Sequence, residues 1–130
     1  MLARAVLEGV AHAMRDRLAL LRRAGAPVDE LRVSGGDTRL ATWNRIKADV
    51  IGVPVIPVSG DAAAAGVAML AGIGSGAYRD PADAIRQAVR LGPPIDPDPA
   101  VAARHAERHE AWRRLRADEQ VRRAGPDEPA

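Results

Sequence analysis

Apolar residues Leu7, Val10, Met14, Leu18 and Leu21 recur at steps of three and four, which places them on one stripe of a helix over residues 1–24. Gly25 and Pro27 end that helix, glycine as cap and proline as breaker. Arg4 and Glu8 stand one turn apart and predict a surface ion pair. Leu31 and Val33 then share one side of a short strand at 30–34, which runs into Gly35-Gly36. A second helix reaches Ile51, with Trp43, Ile46 and Val50 on one face and Lys47 at its edge. Gly52 caps it and Pro54 follows. Residues 53–58 have the apolar, β-rich character of a buried strand, which must end or lie at an edge at Pro57. Asp61 is the predicted N-cap of a helix at 62–73. That helix is almost wholly apolar around its circumference, which predicts burial. Asp80 and Pro81 open a further helix that stops by Gly92-Pro93-Pro94. A proline-rich linker at 93–98 leads into a last helix at 99–124, and 125–130 reads as a disordered tail.

Strands alternating with helices predict an α/β fold with a parallel sheet. Two strands do not make such a sheet stable by themselves, so the pattern calls for completion by further structure. Composition adds limits. Hydrophobic residues make up 47% and aromatics 2%, with no Phe, so the core is built from Ala, Val, Leu and Ile. The net charge of +2 is close to balance and gives no continuous basic stripe, so neither nucleic acid nor membrane is an expected partner. The absence of cysteine excludes disulfides, thiolate catalysis and Cys-based zinc sites. No apolar run reaches spanning length and no signal-peptide pattern opens the sequence, so a soluble cytoplasmic protein is expected.

Four blocks carry a family resemblance. Arg4 to Ala11 resembles the helix that precedes the nucleotide loop in FGGY carbohydrate kinases. Val33-Ser34-Gly35-Gly36 resembles their strand-to-glycine turn. Trp43 to Val55 is similar to the family's segment running from a tryptophan to ADxxGxPV, and Ala65 to Ala71 to its ALGAAxLA helix. The blocks come in family order over residues 3–78 and look most like the xylulokinase branch. The resemblance implies a partial ribonuclease-H-like domain of the actin–hexokinase superfamily. Residues 1–92 are then the C-terminal, nucleotide-binding portion of the kinase without its first strands. It implies ATP and Mg2+ as cofactors and a sugar hydroxyl, on xylulose or a related ketose, as phosphoryl acceptor. It implies that the catalytic aspartate, the sugar site and the first phosphate hairpin lie upstream, on a missing N-terminal half or partner chain. The chain by itself is then expected to be inactive.

The same resemblance makes Gly35, Gly36, Asp37, Leu40 and Gly66 the nucleotide-binding candidates. Glycine lets backbone approach phosphate or ribose closely, and a following helix start adds favourable partial charge. Without the family context a Gly-Gly turn merely joins strand to helix. Asp37 stands where the family often has a third glycine, Leu40 where it often has Ser or Asn, and Val67 where it has Ala. Leu40 cannot cap a helix, which leaves Thr38 or Thr42 for that task. Gly66 either permits close approach near the cleft or serves tight helix packing. Asp37 and Leu40 motivate an alternative: a truncated, non-catalytic remnant that binds nucleotide weakly or acts as an interaction module.

Other signals have simpler readings. Gly72, Gly74 and Gly76 follow a helix rather than a strand and mark a flexible helix end, not a dinucleotide fingerprint. His105 and His109 share one helix face but lack zinc-enzyme spacing, which leaves a solvated face; His12 reads as a helix-surface residue. Asp49 reads as a helix-surface acid fixing Arg45 or Lys47. The arginines of the last helix alternate with acids and predict a salt-bridged surface, docked by Trp112 and Leu115.

Overall fold

The structure, a computed structural model, describes residues 2–124, and the side chains of Asp37 and Ala124 fall outside that description. The tail at 125–130 lies outside the described residues. The elements run α1 (Leu2–Arg23), β1 (Leu31–Val33), a single 3-10 turn (Gly36–Arg39), α2 (Ala41–Ile51), β2 (Val55–Pro57), α3 (Ala62–Gly74), α4 (Pro81–Ala88) and α5 (Pro99–Ala124). β1 and β2 pair in parallel, with Leu31 opposite Val55 and Val33 opposite Pro57.

The other edge of β2 is not bare. Ile95 bridges antiparallel to Val55 through two backbone bonds of 2.9 and 3.0 Å, and Leu91 bridges to Val58. Pro57 closes β2, where its missing amide costs nothing, and its carbonyl accepts from Gly92 N at 2.8 Å. The proline-rich segment therefore runs along the sheet edge and shields backbone groups that would otherwise be open.

α2 is the centre of the fold. Trp43, Ile46 and Val50 pack with Ala11 of α1, flanked by Leu7 and Met14. One face further round, Ala48 packs on Val33 and Val55 of the sheet. Because α2 is covered on both sides, its polar residues Asn44, Lys47 and Asp49 are buried too. Lys47 is not at an edge: it is 2% exposed, its ammonium 4.9 Å from the Trp43 ring centroid. Asp49 is not a surface acid: it is buried and its Oδ1 accepts the amide of Asp98 at 2.8 Å, while Arg45 donates to the carbonyl of Asp96.

Three further expectations fail. α3 is apolar but has no buried residue; Val67 and Leu70 are 69% and 71% exposed, because among the described elements α3 packs chiefly on α4. The three histidines are not on solvated faces. His12, His105 and His109 are all buried where α5 meets α1. Trp112 stacks on His12 and His109, whereas Leu115, expected to help dock the helix, is 70% exposed. The rest of α5 is salt-bridged as expected, with Arg122 and Arg123 both on Glu119. Arg4 and Glu8 pair at 2.8 Å.

Candidate nucleotide cleft

Because β1 and β2 are parallel, their carboxyl ends open on the same side, where open α/β sheets hold their ligands. The loop after each strand turns there. Gly35, Gly36, Thr38 and Arg39 form one wall of a cleft of about 500 Å³, and Pro57, Val58, Ser59, Gly60 and Asp61 form the other. Val58 N donates to the carbonyl of Val33 at 2.7 Å and joins the two walls at their base.

Local chemistry fixes each wall. Gly35 has φ 103°, a conformation that side-chain-bearing residues rarely adopt. Its carbonyl accepts both the Thr38 amide and the Thr38 hydroxyl, at 3.2 and 2.7 Å, which tightens the 3-10 turn. A Cβ on Gly36 would meet nothing of the protein within 4 Å and would take up open space. Asn44, 2% exposed on α2, donates through Nδ2 to the carbonyl of Thr38 at 2.7 Å and ties this wall to the core. On the far wall Gly60 turns at φ 84°, and Asp61 caps α3 by accepting from Ala63 and Ala64 amides.

The cleft thus brings together Gly35 and Gly36 among the sequence candidates. Leu40 and Gly66 do not line it. Leu40 is the N-cap of α2, 59% exposed and with no side-chain cap; Thr38, expected as a substitute, has its hydroxyl on Gly35 instead. Gly66 is half-buried, and a Cβ there would meet nothing within 4 Å, so no close approach within this chain requires glycine. The backbone of Asp37 lies in the 3-10 turn, but its side chain lies outside the described residues. Sequence reasoning missed Arg39, a cation on the glycine wall, and treated Ser59-Gly60-Asp61 only as a turn. The signal was available: both segments directly follow the two strands.

The fit to ATP and magnesium differs. Glycine backbone, the Ser59 hydroxyl and an arginine suit a phosphate-bearing nucleotide. Magnesium requires several oxygen ligands, and Asp61, the one carboxylate lining the cleft among the described side chains, is engaged as a cap. No group of three or more His, Asp or Glu among the described residues is placed to hold a metal. No described helix is long and apolar enough to cross a membrane.

Known proteins resemble this chain in sequence and fold. The family described as "FGGY family of carbohydrate kinases, C-terminal domain" matches residues 1–75. A glycerol kinase of Koribacter versatilis is 40% identical over 108 residues, which cover 79% of this chain and 22% of that protein. An autoinducer-2 kinase of Klebsiella pneumoniae is 32% identical over 120 residues, or 91% of this chain and 23% of that one. Among solved structures, xylulose kinase from Rhodospirillum rubrum superposes with a TM-score of 0.76 at 36% identity, over 90% of this chain and 24% of that one. The chain thus spans about a fifth to a quarter of the length of these relatives. A family match over more than half of the sequence, with the fold to go with it, means that this chain belongs to the FGGY carbohydrate kinases, within their C-terminal domain.

Proposed function

We propose that the chain is the nucleotide-facing part of an ATP-dependent carbohydrate kinase, which transfers the γ-phosphoryl group of ATP to a hydroxyl of a sugar or polyol. One observation carries this reading: the glycine turn and the Ser59–Asp61 turn face each other across a single cleft at the carboxyl ends of parallel strands. Gly35 and Gly36 admit the adenosine and α-phosphate side of the nucleotide, and Arg39 supplies charge to a phosphate oxygen. The start of α3 is a poor phosphate site, since Asp61 already occupies its amides with negative charge. Magnesium arrives on the phosphates and completes its shell elsewhere.

Relatives are named for glycerol, autoinducer-2 and xylulose, so the acceptor is a polyhydroxy compound rather than xylulose in particular. The acceptor site and the base that takes the hydroxyl proton belong to the remainder of the kinase. The exposed apolar side of α3, with Val67 and Leu70, fits a surface covered by that remainder. Calorimetric titration of ATP tests the reading, into the chain alone and into the chain reconstituted with the upstream part of a related kinase. Binding in the reconstituted sample, and no sugar phosphorylation by the chain alone, are the expected results.

The uncapped start of α2 at Leu40 favours a second reading, a remnant that no longer binds nucleotide. Absence of ATP binding in both samples supports it over the first.

A further inference from the structure

α5 is a 26-residue helix, yet among its described residues only His105 and His109 are buried. On α1 the buried residues are Ala11 and His12. The seat of the last helix is therefore made of imidazole where leucine or valine would ordinarily sit. We propose that this seam is a proton-operated latch, closed while its histidines are neutral and opened by acidification, which frees α5 from α1 and α2.

The hydrogen bonding requires at least one neutral ring. His12 Nδ1 and His109 Nδ1 lie 3.1 Å apart, so one must donate and the other accept. His109 Nε2 lies 3.2 Å from Asp16 Oδ1 and donates to that carboxylate, which leaves its Nδ1 to accept from His12. If both rings are protonated, N–H faces N–H across that gap. His105 Nδ1 is buried with no partner, so a proton there is an unsatisfied buried donor. The rings are also close enough for like charges to repel, with centroids 5.2 Å apart for His12–His109 and 5.6 Å for His12–His105.

The charged surroundings are mixed. Glu8 and Asp16 of α1, Asp49 of α2 and Glu110 of α5 favour protonation; Arg4 and Arg15 of α1 and Arg108 of α5 oppose it. Arg113 and Arg116 of α5 already share Asp16. Burial outweighs these charges and holds all three histidines below their ordinary range. Below the ordinary histidine range the undocked seam binds protons that the docked seam excludes, so acidification favours undocking.

The test follows α5 through the Trp112 indole and backbone amide signals by NMR, from pH 7.5 to pH 4, on the full chain. Wild type should lose Trp112 dispersion and α5 protection as the pH falls below about 6.5. The double variant H105L/H109L should stay docked to a pH lower by at least about one unit. A second double variant, H105Q/H109Q, keeps the seam polar but leaves only His12 to titrate, and should show the same downward shift. Loss of α5 at the same pH in wild type and in both variants overturns the proposal, as does a wild-type α5 still docked at pH 4.

Discussion

Asn44 links the core to the candidate cleft, and its two side-chain atoms have opposite accounts. Nδ2 makes a 2.7 Å bond to the carbonyl of Thr38, whereas Oδ1 is buried with no partner. A neutral bond of this kind contributes about 0.5–1.5 kcal/mol net, and an unsatisfied buried acceptor costs about 1–3 kcal/mol. Asn44→Leu removes both. Thr38 is half-buried, so its carbonyl can turn to water, and the two effects nearly cancel. The Leu variant should lie within about 1 kcal/mol of wild type in urea denaturation. Asn44→Asp removes the donor and keeps the acceptors, so a carboxylate oxygen faces the Thr38 carbonyl inside α2's packing. That variant should fall at least about 2 kcal/mol below the Leu variant at pH 7. A carboxyl in such a site has its pKa raised, so the deficit should shrink as the pH falls and the acid regains a proton to donate. Hydrogen exchange at the 3-10 turn provides the second readout: the turn should open faster in both variants, even where global stability is kept. Equal stabilities for the Leu and Asp variants at pH 7, or unchanged exchange at 36–39, refute the reasoning.

Gly35→Ala forces a Cβ into backbone at φ 103° and should cost about 1–2 kcal/mol in urea denaturation, while weakening ATP binding in the reconstituted kinase. Asp61→Ala uncaps α3 and should cost about 1 kcal/mol, measured by the same denaturation. A Cβ on Gly72 comes within 2.6 Å of the Tyr78 ring, so Gly72→Ala should lower the melting temperature and Tyr78→Ala in the same chain should recover part of the loss. Burial lowers the His12 pKa from 6.5 to about 4, so its neutral seat contributes fully above pH 6.5 and that contribution is lost as the pH falls towards 4. For His12 alone the loss reaches about 3 kcal/mol, read as a fall in urea midpoint that should be smaller in a His12→Leu variant, where only His105 and His109 still titrate.

The order of elements was legible because each rests on local signals. Asp61 and Asp80 accept from the first amides of the helices they were expected to open, Asp98 does the same for α5, and Gly52 caps α2 at φ 79°. The parallel pairing followed from alternation of strands and helices. The burial pattern was less legible, since it depends on what lies opposite. Lys47 and Asp49 carry charge, which normally marks a surface, but α2 is sandwiched between α1, the sheet and the start of α5. Neither residue type nor helical period announces a helix that is covered on several sides. The cleft was half legible: the glycine turn stood out as sequence, whereas Arg39 and Ser59 enter only once the two strands are known to be parallel neighbours.

The two largest errors in burial have one physical origin. An apolar helix, α3, is exposed, and a histidine-bearing helix, α5, is docked through its imidazoles. Hydrophobicity predicts what a segment gains from burial, but not which surface is there to receive it. α3 has the stronger drive and only α4 as a principal neighbour among the described elements, so much of its apolar surface stays exposed. α5 has the weaker drive but faces α1 and α2, where neutral histidine, with Trp112 stacked beside it, is apolar enough to bury. On the proposed function, α3 is the place where the rest of the kinase should dock, and on the proposed latch, α5 is the place where attachment should respond to protons. Covering α3 should therefore protect Val67 and Leu70 from exchange at any pH at which the kinase assembles, while α5 retains its own acid threshold.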